Sequence, residues 1–189
     1  PGRPGWHIEC SAMSMAHLGE SFDIHTGGVD LVFPHHEDEI AQSEAATGRP
    51  FVRTWLHCAH LRMEGEKMAK SKGNIARVAE LLEAGASPRA LRYALIAVHY
   101  RQGLDFSETA VEAAAAALDR LDTLLATLDA YVDDRADEQG LPGLLDRTRS
   151  AFEDAFSDDL NVSAALATVF DLARETNRRL AARSLSTAD

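Results

Sequence analysis

The sequence has few cysteines and no long apolar run. It contains two cysteines, Cys10 and Cys58, and two distant cysteines do not make a disulfide framework. No uninterrupted apolar stretch approaches the roughly 20 residues that a membrane-spanning helix needs. The opening residues show no signal-peptide pattern and begin with Pro1 instead of methionine. We therefore expect a cytosolic protein without a membrane partner, and further residues upstream of Pro1.

Positive charge is also scarce. The 19 lysine and arginine residues are outnumbered by 30 aspartate and glutamate residues, which gives a net charge of −11. A dedicated nucleic-acid binder usually carries a basic face, so this balance argues against that class. It does allow a large enzyme that touches RNA through a local basic strip. The apolar share of 46% is enough for a core, in one large domain or two small ones.

The composition changes midway along the chain. Residues 1–75 hold seven of the eight histidines, both cysteines and both tryptophans. Residues 76–189 are rich in alanine, leucine and arginine and have a helical period. We therefore predict an α/β fold over residues 1–75, followed by an all-α helical bundle over residues 76–189.

Turn and capping residues place the elements within these two regions. In the first we predict strands and one helix, followed by a polar lysine-rich loop: strands at 22–25, 31–33 and within 51–61, the helix at 35–46, the loop at 63–74. In the second we predict five helices and a frayed tail: helices at 78–84, 88–100, 107–131, 144–156 and 164–182, the tail at 184–189. Ser87, Ser107 and Asn161 or Ser163 are the predicted N-caps.

Three side chains in the first region suit a metal ion. His35 and Glu39 are four residues apart on a predicted helix, so both project from one face. Cys10 could join them from an adjacent strand end. Thiolate, imidazole and carboxylate are all zinc ligands, and zinc takes about four of them. Pairs with this spacing are also common on solvated helices, and residues 36–38 compete as ligands on the same turn.

A second cluster of metal-ligating side chains consists of His57, Cys58 and His60. Its surroundings in the sequence are apolar, and an unligated cysteine in such surroundings behaves as a small hydrophobic residue. We therefore expect Cys58 to be a buried thiol and not a ligand.

A lysine-rich loop follows this cluster. Lys67, Lys70 and Lys72 fall within six residues, just before Gly73. Ammonium groups suit phosphate oxygens, and during adenylation of a carboxylate they stabilise the charge that develops on the departing pyrophosphate. The alternative is a solvated loop without a ligand, which the charge count alone favours.

Four segments together resemble the cysteinyl-tRNA synthetase family of class I aminoacyl-tRNA synthetases. They occur in the order and spacing of that family: GWHIECSAM at 5–13, FDIHTGGVDL at 22–31, FPHHEDEIAQS at 33–43 and KMAKS at 67–71. The lysine loop is generic to class I synthetases, whereas the first and third segments are far more specific. Residues 88–93 and 157–161 resemble landmarks of the family's helical bundle. The resemblance covers nearly the whole chain and implies a partial Rossmann-like catalytic domain followed by a helical tRNA-binding domain.

The resemblance also implies roles in binding cysteine. Cys10, His35 and Glu39 match three of the family's four zinc ligands. The zinc there binds the thiolate of the substrate cysteine directly, which rejects serine because a hydroxyl is the poorer zinc ligand. Trp6 matches an aromatic residue that lines the cysteine pocket.

The implied nucleotide site takes ATP with Mg²⁺. Gly28 and Asp30 match positions near the adenosine and the ribose. Lys67 and Lys70 match the catalytic signature loop, with Lys70 as the direct ATP contact. Ala69 replaces the usual serine of that loop, which removes a hydroxyl but keeps both lysines.

The implied activity is that of a cysteine–tRNA ligase, which activates cysteine with ATP to cysteinyl-adenylate and transfers it to tRNA(Cys). The family's first zinc cysteine and its histidine-rich ATP motif precede the region matched here. We therefore expect this chain alone to be inactive. We expect a monomer with cysteine, ATP and tRNA(Cys) as its partners. Arg89, Arg92 and Arg101 are candidate RNA contacts.

Two alternatives remain open. A ligase of mycothiol biosynthesis adenylates cysteine in the same way and passes it to glucosaminyl-inositol. It resembles this chain in GWHIECSA and in the lysine loop, but residues 39–42 favour the tRNA enzyme. The other alternative is a non-catalytic RNA-binding fragment, against which the acidity of the chain argues.

Overall fold

The structure is a computed structural model of the chain and describes residues 2, 4–63, 65–68, 73, 75–133 and 141–185. The helices of this part are α1 His7–Leu18, α2 Glu37–Thr47, α3 Val78–Glu83, α4 Pro88–Ile96, α5 Glu108–Asp129, α6 Leu141–Ser157 and α7 Val162–Ala181. The strands are β1 Phe22–Gly28, β2 Val52–Cys58, β3 Leu61–Met63, β4 Glu66–Lys67 and β5 Leu104–Asp105.

Contacts within the chain divide it into two compact units. The first comprises Pro1–Leu61 with Tyr100–Leu104, and the second comprises Arg62–His99 with Asp105–Asp189. The domain boundary at residue 75 stays a prediction.

A parallel pair of strands forms the centre of the first unit. β1 and β2 pair in register, with Phe22 opposite Val52 and Gly28 opposite Cys58. Parallel neighbours need a crossover connection of a dozen or more residues, usually with a helix. Two irregular turns (Val29–Leu31 and Val32–His36) and α2 provide that connection.

The strand predicted at residues 31–33 is wrong. Leu31 ends a 3₁₀ turn, and Val32 begins a π-type turn in which Phe33 alone has an extended backbone, with φ −139° and ψ 135°. The apolar run has β-propensity, but the chain has already left the sheet after Gly28 to make the crossover. Local propensity is overridden here because tertiary context decides whether a strand has a partner.

The second unit begins with a short hairpin in place of part of the predicted loop. Arg62 pairs with Lys67 and Met63 with Glu66, in antiparallel register. Gly65 has φ +77°, a conformation that glycine adopts at no steric cost. Residues 64, 69–72 and 74 of the predicted loop lie outside the described residues.

Three predicted helix starts in the second unit agree with the structure to within one residue, whereas α6 begins at Leu141 instead of residue 144 and α7 at Val162 instead of residue 164. Pro88 opens α4, and Ser87 is its N-cap residue, although the Ser87 side chain makes no capping hydrogen bond. The side chain of Asn161, and not Ser163, caps α7 by accepting a hydrogen bond from the N–H of Ala164 at 3.1 Å. α4 ends at Ile96 instead of running to residue 100, and the nearby carbonyl of Ala97 accepts a hydrogen bond from the Ser163 hydroxyl at 2.8 Å. No helix in the described ranges is both long and apolar enough to cross a membrane.

The predicted frayed tail is wrong at its start. Leu185 is buried, with 5% of its surface exposed, and its carbonyl accepts a hydrogen bond from the Tyr131 hydroxyl at 2.8 Å. Burial of the apolar side chain and the hydrogen bond to the carbonyl together hold Leu185 in place. Residues 186–189 of the predicted tail lie outside the described ranges.

Loss of the α5 cap should have a modest, measurable cost. The Ser107 hydroxyl accepts a hydrogen bond from the N–H of Ala110 at 3.2 Å, as an N-cap does. We expect Ser107→Ala to lower the free energy of unfolding of the second unit by about 1 kcal/mol. Urea unfolding followed by far-ultraviolet circular dichroism measures this change. Ser107→Asp keeps a capping oxygen and is the control, so equal losses in the two variants would contradict the assignment.

Candidate metal centre and nucleotide-binding residues

The carboxylate of Glu39 lies among imidazole rings in the first unit. Its side chain is 0% exposed, with Oε1 at 2.8 Å from Nε2 of His35 and Oε2 at 3.1 Å from Nε2 of His25. Despite these short distances, neither oxygen receives a hydrogen bond of acceptable geometry from the part of the chain that is described. Burial raises the pKa of Glu39 to about 7, because a buried carboxylate loses its hydration. A buried carboxylate of this kind is normally paired with a positive charge or bound to a metal ion.

Cys10 joins His35 and Glu39 in a group of three metal donors. One ligand atom of each residue lies within 4.8 Å of the other two. Burial raises the pKa of the Cys10 thiol, and the negative charges of Glu39 and Glu9 raise it further. A coordinated cation reverses this effect by stabilising the thiolate. The donor set therefore suits a metal better than it suits three free side chains.

The elements that carry these donors differ from those predicted. Cys10 lies on α1, which packs against α2, and not at a strand end. His35 lies in the turn before α2, while Glu39 lies in the first turn of the helix. The four-residue spacing still brings the two side chains together, because His36 already has helical φ and ψ values of −70° and −34°.

A further pair of histidines surrounds the same carboxylate. His36 is buried, and its Nδ1 is 2.8 Å from Nε2 of His57. Burial and the neighbouring imidazoles of His25, His57 and His35 lower the pKa of His36 to about 4. Burial is also the main cause that lowers the pKa of His25, followed by His35 and His57. His36 and His25 are therefore neutral at neutral pH, the form in which imidazole binds metals.

Sequence reasoning named His36 as a competing ligand and missed His25. A usable signal for His25 was its place towards the carboxyl end of a predicted strand. In α/β sheets that end of the strands carries the ligand-binding residues.

The second predicted cluster (His57, Cys58 and His60) does not bring three metal-binding atoms together within the described residues. His57 and Cys58 are adjacent on β2, so their side chains point to opposite faces of the sheet. His57 faces His36, whereas Cys58 is exposed and is not the buried thiol that we expected. Nε2 of His60 lies 3.7 Å from Oδ1 of Asp30.

Gly28 and Asp30 lie together at the carboxyl end of β1. Gly28 ends the strand and Asp30 lies in the following 3₁₀ turn. A Cβ at residue 28 would lie 2.5 Å from Oδ1 of Asp30, so any other residue there would shift this carboxylate. Half of the Asp30 side chain is exposed, which leaves it accessible to a ligand.

The other predicted site residues are spread over both units. Trp6 directly precedes α1 and is 76% exposed. Lys67 is exposed on β4 of the second unit. Lys70 lies outside the described residues. The roles of these three residues in binding cysteine and ATP stay predictions.

The candidate RNA-binding arginines have different surroundings. Nη1 of Arg89 is 2.6 Å from Oδ2 of Asp122, and this hydrogen bond lowers the pKa of Asp122. The guanidinium of Arg101 lies 5.0 Å from the centre of the Tyr100 ring. Arg92 is exposed on α4. An RNA phosphate would have to compete with Asp122 for Arg89.

Comparison with known families decides the class of the chain. The family described as the catalytic domain of class I (C) tRNA synthetases matches residues 1–116, which is more than half of the sequence. The chain belongs to this family. A DALR domain matches residues 151–189, the region of α7 and the end of α6.

Several curated relatives of this class I synthetase chain are cysteine–tRNA ligases. It is 47% identical to the ligase of Brachyspira hyodysenteriae, over 100% of this chain and 40% of the relative. It is 50% identical to those of Pelotomaculum thermopropionicum and Geobacter sulfurreducens, over 94% and 95% of this chain and 37% and 38% of the relatives. The chain thus spans about two fifths of the length of these relatives.

A solved class I synthetase has the same fold. The chain matches agnB2 LeuRS from Agrobacterium radiobacter K84, solved as a ternary complex with tRNA and LeuAMS, with a TM-score of 0.65. The match covers 83% of this chain and 23% of the LeuRS chain at 16% identity. At this identity the likeness concerns the fold alone. It agrees with the family match, and the predicted fold class, a partial class I catalytic domain followed by helices, is confirmed.

Proposed function

We propose that this chain is part of a cysteine–tRNA ligase, which forms cysteinyl-adenylate from cysteine and ATP and transfers the cysteinyl group to tRNA(Cys). The observation that carries the proposal is the grouping of Cys10 and His35 at the buried carboxylate of Glu39, which receives no hydrogen bond of acceptable geometry from the described residues. The name of the relatives supports the tRNA enzyme over the mycothiol ligase.

Zinc fits the three donors. A thiolate, an imidazole and a carboxylate are all zinc ligands, and the resemblance implies a further cysteine as the fourth protein ligand. Zinc bound by Cys10, His35 and Glu39 supplies a soft Lewis acid that prefers the thiolate of cysteine to the hydroxyl of serine. Trp6, four residues before Cys10 in the sequence, provides an apolar wall for the cysteine side chain.

The remaining residues serve the reaction with ATP. An oxygen of the cysteine carboxylate attacks the α-phosphorus, and the bond from that phosphorus to the bridging oxygen of the β-phosphate breaks. Gly28 lets the nucleotide approach the backbone, and Asp30 accepts hydrogen bonds from the ribose hydroxyls. Lys67 and Lys70 stabilise the charge that develops on the departing pyrophosphate, for which Mg²⁺ is the metal partner.

The helical unit provides the tRNA contacts in this proposal. The DALR domain lies within it, and Arg92 is an exposed cation on α4. The chain acts as a monomer and binds tRNA(Cys) through local basic residues, since its overall charge is negative.

A chimera tests the reaction in a full-length context. This chain replaces the matching segment of the ligase from Brachyspira hyodysenteriae, to which it is 47% identical. We expect the chimera to form cysteinyl-adenylate and to charge tRNA(Cys) with labelled cysteine. Cys10→Ala should reduce adenylate formation by at least about 10- to 100-fold, the loss that removal of a mere outer partner of a metal ligand typically causes.

The matched control uses the other cysteine. Cys58 is exposed and lies outside the donor group, so Cys58→Ala should leave the rate unchanged. The unmodified ligase sets the reference rate. A folded chimera that forms no cysteinyl-adenylate, or one in which the two alanine variants behave alike, would contradict the proposal.

A further inference from the structure

Asp105 holds the turn of the hairpin that carries Lys67. The backbone N–H of Gly65, in the turn between β3 and β4, donates to both carboxylate oxygens of Asp105, at 3.1 Å to Oδ2 and 3.3 Å to Oδ1. We propose that Asp105 is a positioning residue for adenylate formation, which fixes the backbone from which the ammonium group of Lys67 extends. This inference rests on the proposed function, because that function gives Lys67 its task at the departing pyrophosphate.

The hairpin is too short to hold its own position. It has two paired positions, Arg62 with Lys67 and Met63 with Glu66. An isolated two-stranded hairpin is marginally stable at best in water. Gly65 adds no side-chain contact, and even a Cβ at this residue would meet nothing within 4 Å. Contacts from outside the hairpin therefore decide where the backbone of Lys67 lies.

The segment that carries Asp105 is itself well anchored. The next residue, Phe106, is buried, with 6% of its surface exposed, and its N–H donates to the carbonyl of Arg62 at 2.8 Å. Ser107 then caps α5. A buried ring, a backbone hydrogen bond to β3 and a helix start thus fix the backbone on which Asp105 lies. Its carboxylate holds the turn at Gly65 relative to that backbone.

A firmly held backbone matters here because lysine is a flexible residue. Its ammonium group lies at the end of a four-carbon stem, so the backbone is the part that the fold can fix. A catalytic group has to be held within about 0.5 Å of its productive geometry, and a displacement of about 1 Å can slow a reaction about 100-fold. Hydrogen bonds to a carboxylate are stronger than those between neutral groups, so Asp105 suits this task.

Kinetics of the full-length chimera test the role of Asp105. Asp105→Ala should lower the kcat of cysteine-dependent ATP–pyrophosphate exchange about 10- to 100-fold. The KM for cysteine should stay unchanged, because the residues proposed to bind cysteine belong to the first unit. Asp105→Asn keeps one acceptor oxygen and should recover most of the rate. Asp129→Ala removes an exposed carboxylate at the end of α5, and this matched control should change neither quantity.

A double variant separates positioning of Lys67 from a general loss of structure. When Asp105 acts through Lys67, Asp105→Ala should slow the Lys67→Ala chimera little further, because the two residues are then energetically coupled. A merely structural role would slow both backgrounds by the same factor. Equal factors in the two backgrounds, or an unchanged kcat in Asp105→Ala, would overturn the proposal.

Amide hydrogen exchange in the 189-residue chain tests the contact without any activity. The N–H of Gly65 should exchange several-fold faster in Asp105→Ala than in the unchanged chain, and at an intermediate rate in Asp105→Asn. The N–H of Ala110, which Ser107 caps, should exchange at the same rate in all three proteins. Unchanged exchange at Gly65 would overturn the proposal. A chimera that forms no cysteinyl-adenylate with Asp105 in place would instead count against the proposed function, so the two fail in distinguishable ways.

Discussion

Glu39→Gln should stabilise the metal-free chain and abolish its stabilisation by zinc. Burial raises the pKa of Glu39 to about 7 from an ordinary value of 4.5. A carboxyl group whose pKa is raised in the folded state destabilises that state when the carboxylate is ionised. This penalty is absent below the pKa of the group in the unfolded state. The penalty grows from about pH 4.5 to pH 7 and is complete above that. Such a shift corresponds to a cost of about 3 kcal/mol at pH 8, which a neutral amide does not carry.

Zinc should reverse the order of the two proteins. A ligand that binds only the folded state stabilises it by about 4.1 kcal/mol at one thousand times its dissociation constant, which exceeds the cost of about 3 kcal/mol. The unchanged chain should gain this amount, while the amide of Glu39→Gln is a poor zinc ligand and should gain little. The Glu39→Gln chain should therefore be the more stable protein in chelator, and the unchanged chain the more stable one in excess zinc. A purely structural role of Glu39 does not produce this reversal.

Tryptophan fluorescence makes this measurement specific to the first unit, because Trp6 and Trp55 both belong to it. Urea unfolding at pH 8, in chelator and in excess zinc, compares the two proteins. Glu37→Gln is the control, since Glu37 is exposed in the same turn of α2. A Glu39→Gln chain that is less stable in chelator, or that zinc stabilises as strongly as the unchanged chain, would contradict the assignment.

Local spacing predicted part of the metal site. His35 and Glu39 are separated by one helical turn, and such a separation fixes their proximity whether the helix begins at residue 35 or at residue 37. The contribution of Cys10 depends on the packing of α1 against α2, which no local pattern encodes. The resemblance to cysteinyl-tRNA synthetases supplied that residue, and the structure then placed it within reach of the other two.

Other features needed the tertiary structure. The hydrogen bond between His36 and His57 joins residues that are 21 positions apart, and it depends on the register of β1 against β2. Among the described residues, Glu39 receives no hydrogen bond of acceptable geometry, and this depends on every side chain that surrounds it. Burial of Leu185 likewise depends on Tyr131, which lies 54 residues earlier. Strand, helix and cap signals are short-range, so they predicted most elements but not these contacts.

Phe51→Ala should cause the largest loss of stability in the first unit. Phe51 is 0% exposed, and its ring centre lies 5.0 Å from that of Phe22, 6.4 Å from that of His25 and 6.3 Å from that of Trp55. Its carbonyl also accepts a hydrogen bond from the N–H of Phe22 at 3.1 Å. Removal of a buried phenylalanine ring typically costs about 3 to 5 kcal/mol. Such a loss is a large share of the stability of a small domain.

Metal binding, measured with cobalt, should fall with the ring, because Phe51 packs beside His25, whose Nε2 lies 3.1 Å from Oε2 of the zinc ligand Glu39. Thermal unfolding by tryptophan fluorescence should show a strongly lowered midpoint, and cobalt binding should fall. Phe51→Leu keeps most of the volume and should lose less than half as much. Phe106→Ala removes a buried ring from the second unit, where 6% of Phe106 is exposed, and it should lower helical stability while leaving cobalt binding intact. If Phe51→Ala bound cobalt normally, the packing of Phe51 against His25 would not be what positions the donors.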